Sequence, residues 1–561
     1  MYIKGIEIKN YRGLDIKIDG VKKVSMIIGQ NDSGKTNICH AILKVLDYRK
    51  RKIPFSITDS TNSNKEDIFI KIILDASSLN TEQLGTIGKY IHHNSDGSKV
   101  IVAQLVSSFN EETEEYEDSL IYGNPLEDYE EQKNGVQTLL DKVLSIVYIS
   151  PVYDIDDTKN NYFSFIEKGN KKSNIKFNSI ISESLGLLND SIQTDIIVQT
   201  MQNDINNNGL EELFDDYQFK IVSKTKINNL YKSLDIIPNK NDKDIEHIGD
   251  AKNKLLATIL KSKIYDSNKQ KIYIVEEPEN HLYVLLQKMY IKALLNMKPE
   301  PEQVIFTTHS PFTIDFEKIN QIIKINQCNK IYTFNNNSEE DFKKYGYLIN
   351  IQIAEMLYYD EVLLVEGSSE KYFYSYLMSS SNEFLMKINN KRLGICEIDG
   401  IAFKTTKELL TNLGIKVYIK TDNDVFLTSN AKSKQYAGII RCISFLTEID
   451  KNEFYNIIQL NKEDFIFDKG LDTNKKVEEK MDEICSFFYK KNIFISSHKD
   501  GFEGDFEEFL KLNDNEINDS VIQYLKKAKL KNLHNFITEN KYKIELNEKT
   551  KKSILVRFLY E

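Results

Sequence analysis

Short apolar runs that end in polar clusters recur along the first half of the chain. Val24–Ile28 has a buried-strand pattern and runs through a glycine-containing turn into the helical pattern Asn37–Leu46. Ile3, Ile6 and Ile8 begin another strand pattern upstream. Further strand candidates are Ile68–Ile73, Val143–Ile149, Ile272–Val275 and Val304–Phe306. Strands that alternate with helices predict a first α/β unit.

Two stretches of the first half depart from this pattern. Residues 111–134 are acidic and rich in turn-forming residues, which predicts a solvated loop. From about 155 to 250 the pattern becomes helical and polar, with runs of Asn, Asp and Lys. We interpret this second stretch as an inserted helical arm.

A second unit follows a linker. Residues 335–341 read Asn-Asn-Asn-Ser-Glu-Glu-Asp. Of all stretches of the chain, this one has the composition most typical of an interdomain linker. Beyond it, apolar strands alternate with helical stretches again, at Val362–Val365, Gly394–Cys396 and Val417–Ile419. We therefore expect two domains, residues 1–345 with an insertion at about 155–250, and residues 346–561.

Composition narrows the class of protein. With 41% hydrophobic and 28% charged residues among 561, the chain is too apolar for a disordered protein. No apolar stretch approaches the length of a transmembrane helix, and the N-terminus lacks the apolar region of a signal peptide. We therefore expect a cytoplasmic protein without a membrane partner. The net charge of −10 means that a phosphate partner requires a local basic patch or bound divalent ions.

The turn after the first buried strand matches the pattern GxxxxGK[ST]. Its glycines let backbone N–H groups and the start of the helix face phosphate oxygens, while the lysine reaches the terminal phosphates and the threonine hydroxyl binds Mg²⁺. A surface turn that happens to contain lysine would leave the adjoining apolar strand unexplained. The candidate residues for binding ATP with Mg²⁺ are Gly29, Asn31, Ser33, Gly34, Lys35 and Thr36.

Two later strands end in residues that a phosphate site needs. Glu276 and Glu277 follow Ile272–Val275, where the first can hold a Mg²⁺-bound water and the second can polarise the attacking water. His309 follows Val304–Phe306, beside the expected phosphate edge. Each motif alone is equally well a charged turn or a strand-end histidine. Their order after the phosphate loop favours a nucleotide site.

A second set of carboxylates marks the C-terminal unit. Glu366 ends the strand Val362–Val365, and Glu370 follows one helical turn later. Asp422 and Asp424 follow the strand Val417–Thr421 and point the same way in an extended segment. Clustered carboxylates repel each other unless a divalent cation neutralises them, so the pattern predicts a metal site for phosphodiester chemistry. The alternative is two acidic loops that cap helices.

Several of these motifs carry a family resemblance. NYRGL, GQNDSGKT, VEEPENHL and FTTHSPF resemble the ATP-binding cassette heads of the RecF, SMC and OLD (overcoming lysogenization defect) proteins, and EGSSE with DND resembles a Toprim domain. An ATPase head followed by a Toprim unit is the arrangement of OLD-family nucleases, and the match looks closest to the Gabija anti-phage nucleases. The resemblance implies an ABC-type P-loop ATPase domain with a helical insertion, followed by a C-terminal Toprim α/β nuclease domain.

The resemblance also assigns further residues. Glu503 and Asp505 match the third acidic motif of the family, which implies ligands for a second metal ion, and Lys529 matches its late lysine. The set implied for catalysis is Glu366, Asp422, Asp424 and Lys529, and the set implied for Mg²⁺ or Mn²⁺ adds Glu370, Glu503, Asp505 and, at the nucleotide, Thr36. The nearest match to the cassette signature, residues 247–254, lacks the Ser-Gly-Gly core. This departure implies that ATP regulates the protein more than its hydrolysis drives the reaction.

The function implied is a metal-dependent endonuclease that nicks or cleaves double-stranded DNA. The family further implies a homo-oligomer, dimer or tetramer, assembled through the ATPase domains, and a UvrD-like helicase partner. Residues 521–561 hold ten basic against four acidic residues, which suggests a surface for the DNA backbone. Two alternatives remain: a RecF- or SMC-like repair ATPase with a non-catalytic Toprim-like region, and a nucleotide-sensing toxin that acts on RNA.

Overall fold

The protein is described here by a computed structural model. The residues it describes are 1–94, 97–123, 129–132, 136–152, 154–169, 192–207, 217–223, 234–240, 243–245, 248–264, 269–297, 301–314, 320–333, 345, 350–398, 402–423, 425–428, 432–495, 519–539 and 556–560. The chain divides into two compact units, Met1–Asn336 and Asn337–Glu561.

A mainly parallel sheet lies at the centre of the first unit. Its strands, in spatial order, are Ile331–Thr333, Ile322–Ile325, Val24–Ile28, Gln303–Thr308, Gln270–Glu276 and Leu144–Ile149. Only the edge strand Ile331–Thr333 pairs in the antiparallel sense among these. The other carboxyl ends therefore meet at one edge, which is where open α/β sheets bind ligands. The strands predicted from apolar runs are confirmed here.

An antiparallel sheet forms the second layer of this unit. Its strands are Leu14–Asp19, Tyr2–Tyr11, Ile68–Asp75, Lys99–Asn110, Glu115–Gly123 and Tyr129–Gln132, with His92–His93 paired to the fourth. Leu14, Ile16 and Ile18 are buried while the residues between them are exposed, as expected for a sheet with one solvated face. The prediction of a solvated loop over 111–134 is wrong, because Glu115–Gly123 and Tyr129–Gln132 are strands.

Helices pack on these two sheets. Lys35–Leu46 buries Ile38, Ile42 and Val45 at helical spacing. The other α-helices of this unit are Tyr48–Arg51, Thr81–Ile87, Leu139–Val143, Ile155–Gly169, Ile196–Asn206, Asp250–Lys263 and Val284–Leu295. Short 3₁₀ turns span Ile57–Asp59, Thr61–Ser63, Gly88–Tyr90 and Pro311–Thr313. The stretch predicted as a helical arm also contains the strands Gln218–Ser223, Leu234–Lys240 and Lys243–Asp244.

The second unit is built on a four-stranded parallel sheet. Its order is Leu393–Glu397, Glu361–Val365, Lys416–Thr421 and Ile493–Ile495. A small antiparallel sheet joins Val425–Leu427, Ser433–Tyr436 and Ile466–Asp468. The α-helices are Ile351–Met356, Ser368–Ser380, Asn382–Lys391, Phe403–Asn412, Ala437–Ser444, Glu448–Ile458, Lys475–Glu479, Met481–Lys490, Asp519–Lys527 and Lys529–Glu539, with 3₁₀ turns at Lys462–Phe465 and Arg557–Leu559.

Within the described part of the chain, every helix is too short or too polar to cross a membrane.

Candidate functional site

The phosphate loop requires glycine at two positions. A Cβ on Gly29 would lie 2.4 Å from the carbonyl oxygen of Ile325 and 2.7 Å from Oγ of Ser33. Gly34 has a φ of +92°, and a Cβ there would lie 2.5 Å from a side-chain carbon of Leu14. The glycines therefore allow the loop to pass tightly between the strand Val24–Ile28 and the helix that begins at Lys35.

Lys35 lies inside the curve of this loop. Its Nζ donates to the carbonyl oxygens of Gly29 at 2.9 Å and Gln30 at 2.6 Å, and it lies 3.4 Å from Oγ of Ser33. Burial lowers the pKa of Lys35 to about 8, because a desolvated ammonium is disfavoured. The amine is positioned at the start of the helix, where phosphate groups bind most favourably.

A cavity of about 730 Å³ opens in front of this loop. Its lining residues are Asn31, Asp32, Gly34, Lys35, Thr36, Asn37, Glu277 and His309. The structure thus brings Glu277 and His309, predicted from two later strands, to the phosphate loop. Gly29 and Ser33 are buried in the wall behind it. A nucleoside triphosphate fits this cavity, because the wall contains glycine, the ammonium is buried and the volume is large enough.

The two adjacent acids at the end of Gln270–Glu276 differ in environment. Glu276 is 2% exposed and hydrogen-bonded to Tyr148 and Cys39, and burial raises its pKa to about 7. Among the described residues, its Oε1 has no hydrogen-bond partner. A buried, unsatisfied carboxylate oxygen fits a Mg²⁺-bound water. Glu277, by contrast, lines the cavity itself, with its backbone at a φ of +44°.

His309 faces the second of these acids. Its Nε2 lies 3.7 Å from Oε1 of Glu277. Its backbone N–H donates to Oε1 of Glu279 at 2.6 Å, which fixes the end of the strand Gln303–Thr308. Burial and the charge of Lys35 lower the pKa of His309, so the imidazole is neutral at pH 7.

Lys254 is a residue of this site that the sequence did not identify. It lies on the helix Asp250–Lys263, is 1% exposed, and donates to the carbonyl oxygens of Glu277, Pro278 and Asn280 at 2.9, 3.2 and 3.0 Å. Burial lowers its pKa to about 8. The lysine therefore holds the loop that carries Glu277. In the sequence, Lys254 is the last residue of the nearest match to the cassette signature, 247–254, and it directly precedes the apolar run of its helix.

The C-terminal unit brings two of its predicted carboxylates, Glu366 and Asp422, together. The parallel strands Glu361–Val365 and Lys416–Thr421 are neighbours, so Glu366 and Asp422 follow at the same edge of the sheet. The backbone N–H of Asp422 donates to Oε1 of Glu366 at 3.3 Å. Burial raises the pKa of Glu366.

Glu370, predicted as a metal ligand, joins the ends of the two strands in the structure. Its Oε2 accepts the backbone N–H groups of Glu366 at 2.8 Å and Gly367 at 3.2 Å, which caps the following helix. Its Oε1 contacts the ammonium of Lys420, which also contacts Oδ1 of Asp422. Both oxygens therefore contact protein groups, and the assignment of Glu370 as a metal ligand stays a prediction.

Two cations that the sequence did not single out compensate these carboxylates. Lys420 is 1% exposed; burial by itself lowers its pKa, but Glu370 and Asp422 raise it well above the ordinary value. Nη1 of Arg441 contacts Oε1 of Glu366 and lies 2.9 Å from Oγ1 of Thr421. Lysine between two buried β-branched residues of a strand was the only sequence signal for the first.

The remaining predicted residues are only partly described. Asp424, Glu503 and Asp505 lie outside the described residues. Lys529 is the first residue of the helix Lys529–Glu539. Over the described ranges, no three His, Cys, Asp or Glu side chains are grouped as a metal-binding cluster. Glu366, Glu370 and Asp422 are the described members of the predicted carboxylate centre.

Comparisons with known proteins identify both units. The family model "Overcoming lysogenization defect protein-like, TOPRIM domain" matches residues 357–424, and the AAA ATPase domain model matches residues 264–314. Endonuclease GajA from Bacillus cereus strain VD045 is 25% identical over an aligned length of 569 residues, which covers 95% of this chain and 94% of that protein. The predicted fold class, an ATPase domain followed by a TOPRIM domain, is confirmed.

Solved structures of ATPase heads are also similar to part of the chain. The SMC head bound to the C-terminal winged-helix domain of ScpA is 15% identical, with a TM-score of 0.38, over 58% of this chain and 94% of that one. RecF with ATP, a recombination mediator, is 15% identical, with a TM-score of 0.36, over 59% of this chain and 99% of that one.

Proposed function

We propose that the protein is a metal-dependent DNA endonuclease of Gabija anti-phage defence. The chain carries an ATPase domain and an OLD-like TOPRIM domain, which is consistent with an OLD-family nuclease. Nucleotide bound at the ATPase domain regulates the cut. The similarity to endonuclease GajA along nearly the whole chain supports this proposal.

One observation of the structure carries the nuclease proposal. Glu366 and Asp422 end neighbouring parallel strands, and each has one carboxylate oxygen engaged by the protein. Among the described residues, the side-chain contacts of these two acids fall on Oε1 of Glu366 and Oδ1 of Asp422 and not on the second oxygens. Paired carboxylates with open oxygens at one sheet edge are the donors that Mg²⁺ or Mn²⁺ prefers.

The residues of this centre have distinct roles in the reaction. Glu366, Asp422 and Asp424, together with Glu370, would hold the first ion, and Glu503 and Asp505 would hold the second. Bound Mg²⁺ or Mn²⁺ supplies Lewis-acid activation of water and of the scissile phosphate. Glu370 and Lys420 keep the two strand ends in register through their ion pair.

Lys529 acts on the substrate in this proposal. Its ammonium stabilises the negative charge that develops on the phosphate during cleavage. The substrate is double-stranded DNA, whose backbone binds the basic stretch 521–561.

At the ATPase domain, the residues of the cavity bind ATP with Mg²⁺. Lys35 contacts the terminal phosphates and Thr36 ligates the ion. Glu277 orients the attacking water, and His309 senses the terminal phosphate. The absent Ser-Gly-Gly core supports slow turnover, so ATP acts as a signal. DNA-stimulated turnover of tens per second would contradict this part.

The family resemblance extends the proposal to partners. The protein assembles as a dimer or tetramer through its ATPase domains and works with a UvrD-like helicase. Light scattering of the purified chain, alone and with the helicase encoded beside it, measures the oligomeric state and the binding of the helicase. A chain that stays monomeric and does not bind the helicase would refute the proposed assembly and partner.

Plasmid cleavage tests the nuclease proposal. Supercoiled plasmid is incubated with Mg²⁺ or Mn²⁺ and increasing ATP, with wild type, Asp422→Asn and Asp360→Asn. Asp360 precedes the strand Glu361–Val365, so it lies at the opposite end of the same sheet and serves as the control. We expect metal-dependent nicking by wild type and Asp360→Asn, and a loss of at least about 100-fold in Asp422→Asn.

The outcomes separate the proposal from its alternatives. Nicking that persists in Asp422→Asn would exclude this carboxylate centre. No cleavage at any nucleotide concentration, with and without the helicase, would favour a RecF- or SMC-like repair ATPase. Cleavage of RNA in preference to DNA would favour the toxin.

A further inference from the structure

Arg441 reaches the carboxylate centre from outside the acidic motifs. It lies on the helix Ala437–Ser444, and its Nη1 contacts Oε1 of Glu366. The same nitrogen donates to Oγ1 of Thr421 at 2.9 Å. The guanidinium therefore joins the ends of the two strands that carry Glu366 and Asp422.

The fold holds this helix against the centre by a close backbone contact. A Cβ on Gly438 would lie 2.1 Å from the carbonyl oxygen of Asp422 and 2.8 Å from Cα of Asn423. Any side chain there would push the helix away. Arg441 follows three residues later on the same face of the helix, which directs it to Glu366.

The contacts of Arg441 determine which oxygen of Glu366 is open. Oε1 accepts from Arg441, from the hydroxyl of Thr421 and from the backbone N–H of Asp422. Within the described part of the chain, Oε2 accepts from none. Three donors on one oxygen fix the rotation of the carboxylate and leave the other oxygen for an ion.

Charge balance stabilises the arrangement of these carboxylates. Three carboxylates, Glu366, Glu370 and Asp422, meet two cations, Lys420 and Arg441. Like charges this close repel strongly, so the cations stabilise the observed positions of the carboxylates. The same positive charges oppose a divalent ion that arrives at Glu366.

We propose that Arg441 is a positioning residue of the carboxylate centre, which holds Glu366 in place before a divalent ion binds and weakens the affinity for that ion. The inference rests on the proposed function, since it takes the centre to be a metal site. Lys420 is fully buried between its partners and supports the fold. Arg441 is 23% exposed at its side chain and can be exchanged with less risk to folding.

Direct Mn²⁺ binding to the full chain tests the inference. Nucleotide-free wild type, Arg441→Gln, Arg441→Lys and Asp422→Asn are titrated with Mn²⁺ by calorimetry and by electron paramagnetic resonance. We expect Arg441→Gln to bind Mn²⁺ about tenfold more tightly, because a repelling charge is gone. Arg441→Lys keeps the charge and is expected to bind like wild type.

Thermal unfolding provides the second readout. In EDTA, Arg441→Gln is expected to unfold at a lower temperature than wild type, since Glu366 loses its counter-charge, and Mn²⁺ is expected to restore stability more than in wild type. Arg392→Gln is the matched control. Nη1 of Arg392 lies 3.3 Å from Oδ2 of Asp360, and this pair is remote from the carboxylate centre. Its exchange is therefore expected to leave the Mn²⁺ affinity unchanged.

The outcomes distinguish this inference from the proposed function. If wild type shows no Mn²⁺ binding that Asp422→Asn abolishes, the metal site of the proposed function fails. If that binding is present but Arg441→Gln binds no more tightly than wild type, the inference fails alone. Equal tightening in Arg392→Gln also overturns it, because the effect would then not depend on contact with Glu366.

Discussion

Nε2 of His309 lies 3.7 Å from Oε1 of Glu277, across the mouth of the nucleotide cavity. The two residues follow neighbouring parallel strands, Gln270–Glu276 and Gln303–Thr308. Sheet pairing therefore places a carboxylate beside a neutral imidazole, both facing the ammonium of Lys35. This arrangement gives one group that can orient water and one that can contact the terminal phosphate.

The role of Glu277 can be separated from nucleotide binding. In Glu277→Gln the side chain keeps its size but can no longer polarise water, so we expect ATP hydrolysis to fall about 10²–10⁴-fold. ATP affinity is expected to stay within about threefold, because phosphate binding rests on Lys35 and the loop. Phosphate release and equilibrium binding measure the two quantities.

An exposed glutamate gives the control for this exchange. Glu82 lies in the first turn of Thr81–Ile87 and is exposed. Glu82→Gln is expected to hydrolyse ATP like wild type. Undiminished hydrolysis in Glu277→Gln would remove this residue from the catalytic assignment.

The close packing of the phosphate loop gives a second prediction. In Gly29→Ala the added carbon meets the carbonyl oxygen of Ile325 at 2.4 Å, so the loop has to shift. We expect ATP affinity to fall at least about tenfold and stability to fall by about 1–3 kcal/mol. Binding of a fluorescent ATP analogue and thermal unfolding are the measurements.

A second glycine separates this effect from a general effect of the exchange. Gly85 lies in the helix Thr81–Ile87, and a Cβ there meets no atom within 4 Å. Gly85→Ala is expected to gain about 0.5–1 kcal/mol, because alanine favours a helix. Normal ATP binding by Gly29→Ala would show that the loop tolerates the contact.

The sequence was most informative where an apolar strand ends in a polar cluster. Both α/β sheets and the meeting of Lys35 with Glu277 and His309 follow from such runs, because parallel strands bring their carboxyl ends to one edge. The hairpin strand Glu115–Gly123 was missed, since it carries many charged residues. The strand pairs with Lys99–Asn110 on one side and Tyr129–Gln132 on the other. The hydrogen bonds to these neighbours stabilise a strand that its own composition does not predict.

The buried cations could not be predicted from local patterns. Lys254 is buried because three carbonyl oxygens of a distant loop surround it, and Lys420 because Glu370 and Asp422 do. The role of Arg441 depends on the close approach that Gly438 allows. Each of these contacts is set by tertiary packing, which a pattern of hydrophobic and polar positions does not contain.

The pKa of Lys254 predicts a dependence of stability on pH. Burial lowers this pKa from 10.5 to about 8. Between pH 8 and 10.5 the unfolded chain therefore binds the proton more strongly than the folded one, and folding is favoured as the pH rises. Relative to Lys254→Met, which does not titrate, wild type is expected to gain about 1.4 kcal/mol per pH unit. Unfolding temperatures of both proteins at pH 8, 9 and 10 measure this gain. A constant difference across this range would contradict the lowered pKa.

The C-terminal helices predict how DNA binding depends on salt. Leu525 and Leu533 are buried in the core of the second unit, while Lys527 and Lys531 on the same helices are exposed. If these lysines contact DNA phosphates, each releases about one counterion on binding. The double exchange Lys527→Gln and Lys531→Gln is expected to weaken binding and to lower the slope of log affinity against log salt by about two. Fluorescence anisotropy between 50 and 200 mM salt, in the Asp422→Asn background to prevent cleavage, measures the slope.

A matched pair of lysines distinguishes a local contact from net charge. Lys475 and Lys476 are exposed on the helix Lys475–Glu479, outside the basic stretch 521–561. Exchanging both for glutamine changes the total charge by the same amount, yet the slope is expected to stay at the wild-type value because no phosphate contact is lost. Equal slopes for wild type and the first pair would place the DNA backbone on another surface. Equal losses for the two pairs would mean that DNA responds to the net charge of the protein, since the contact with the C-terminal helices would then have no separate effect.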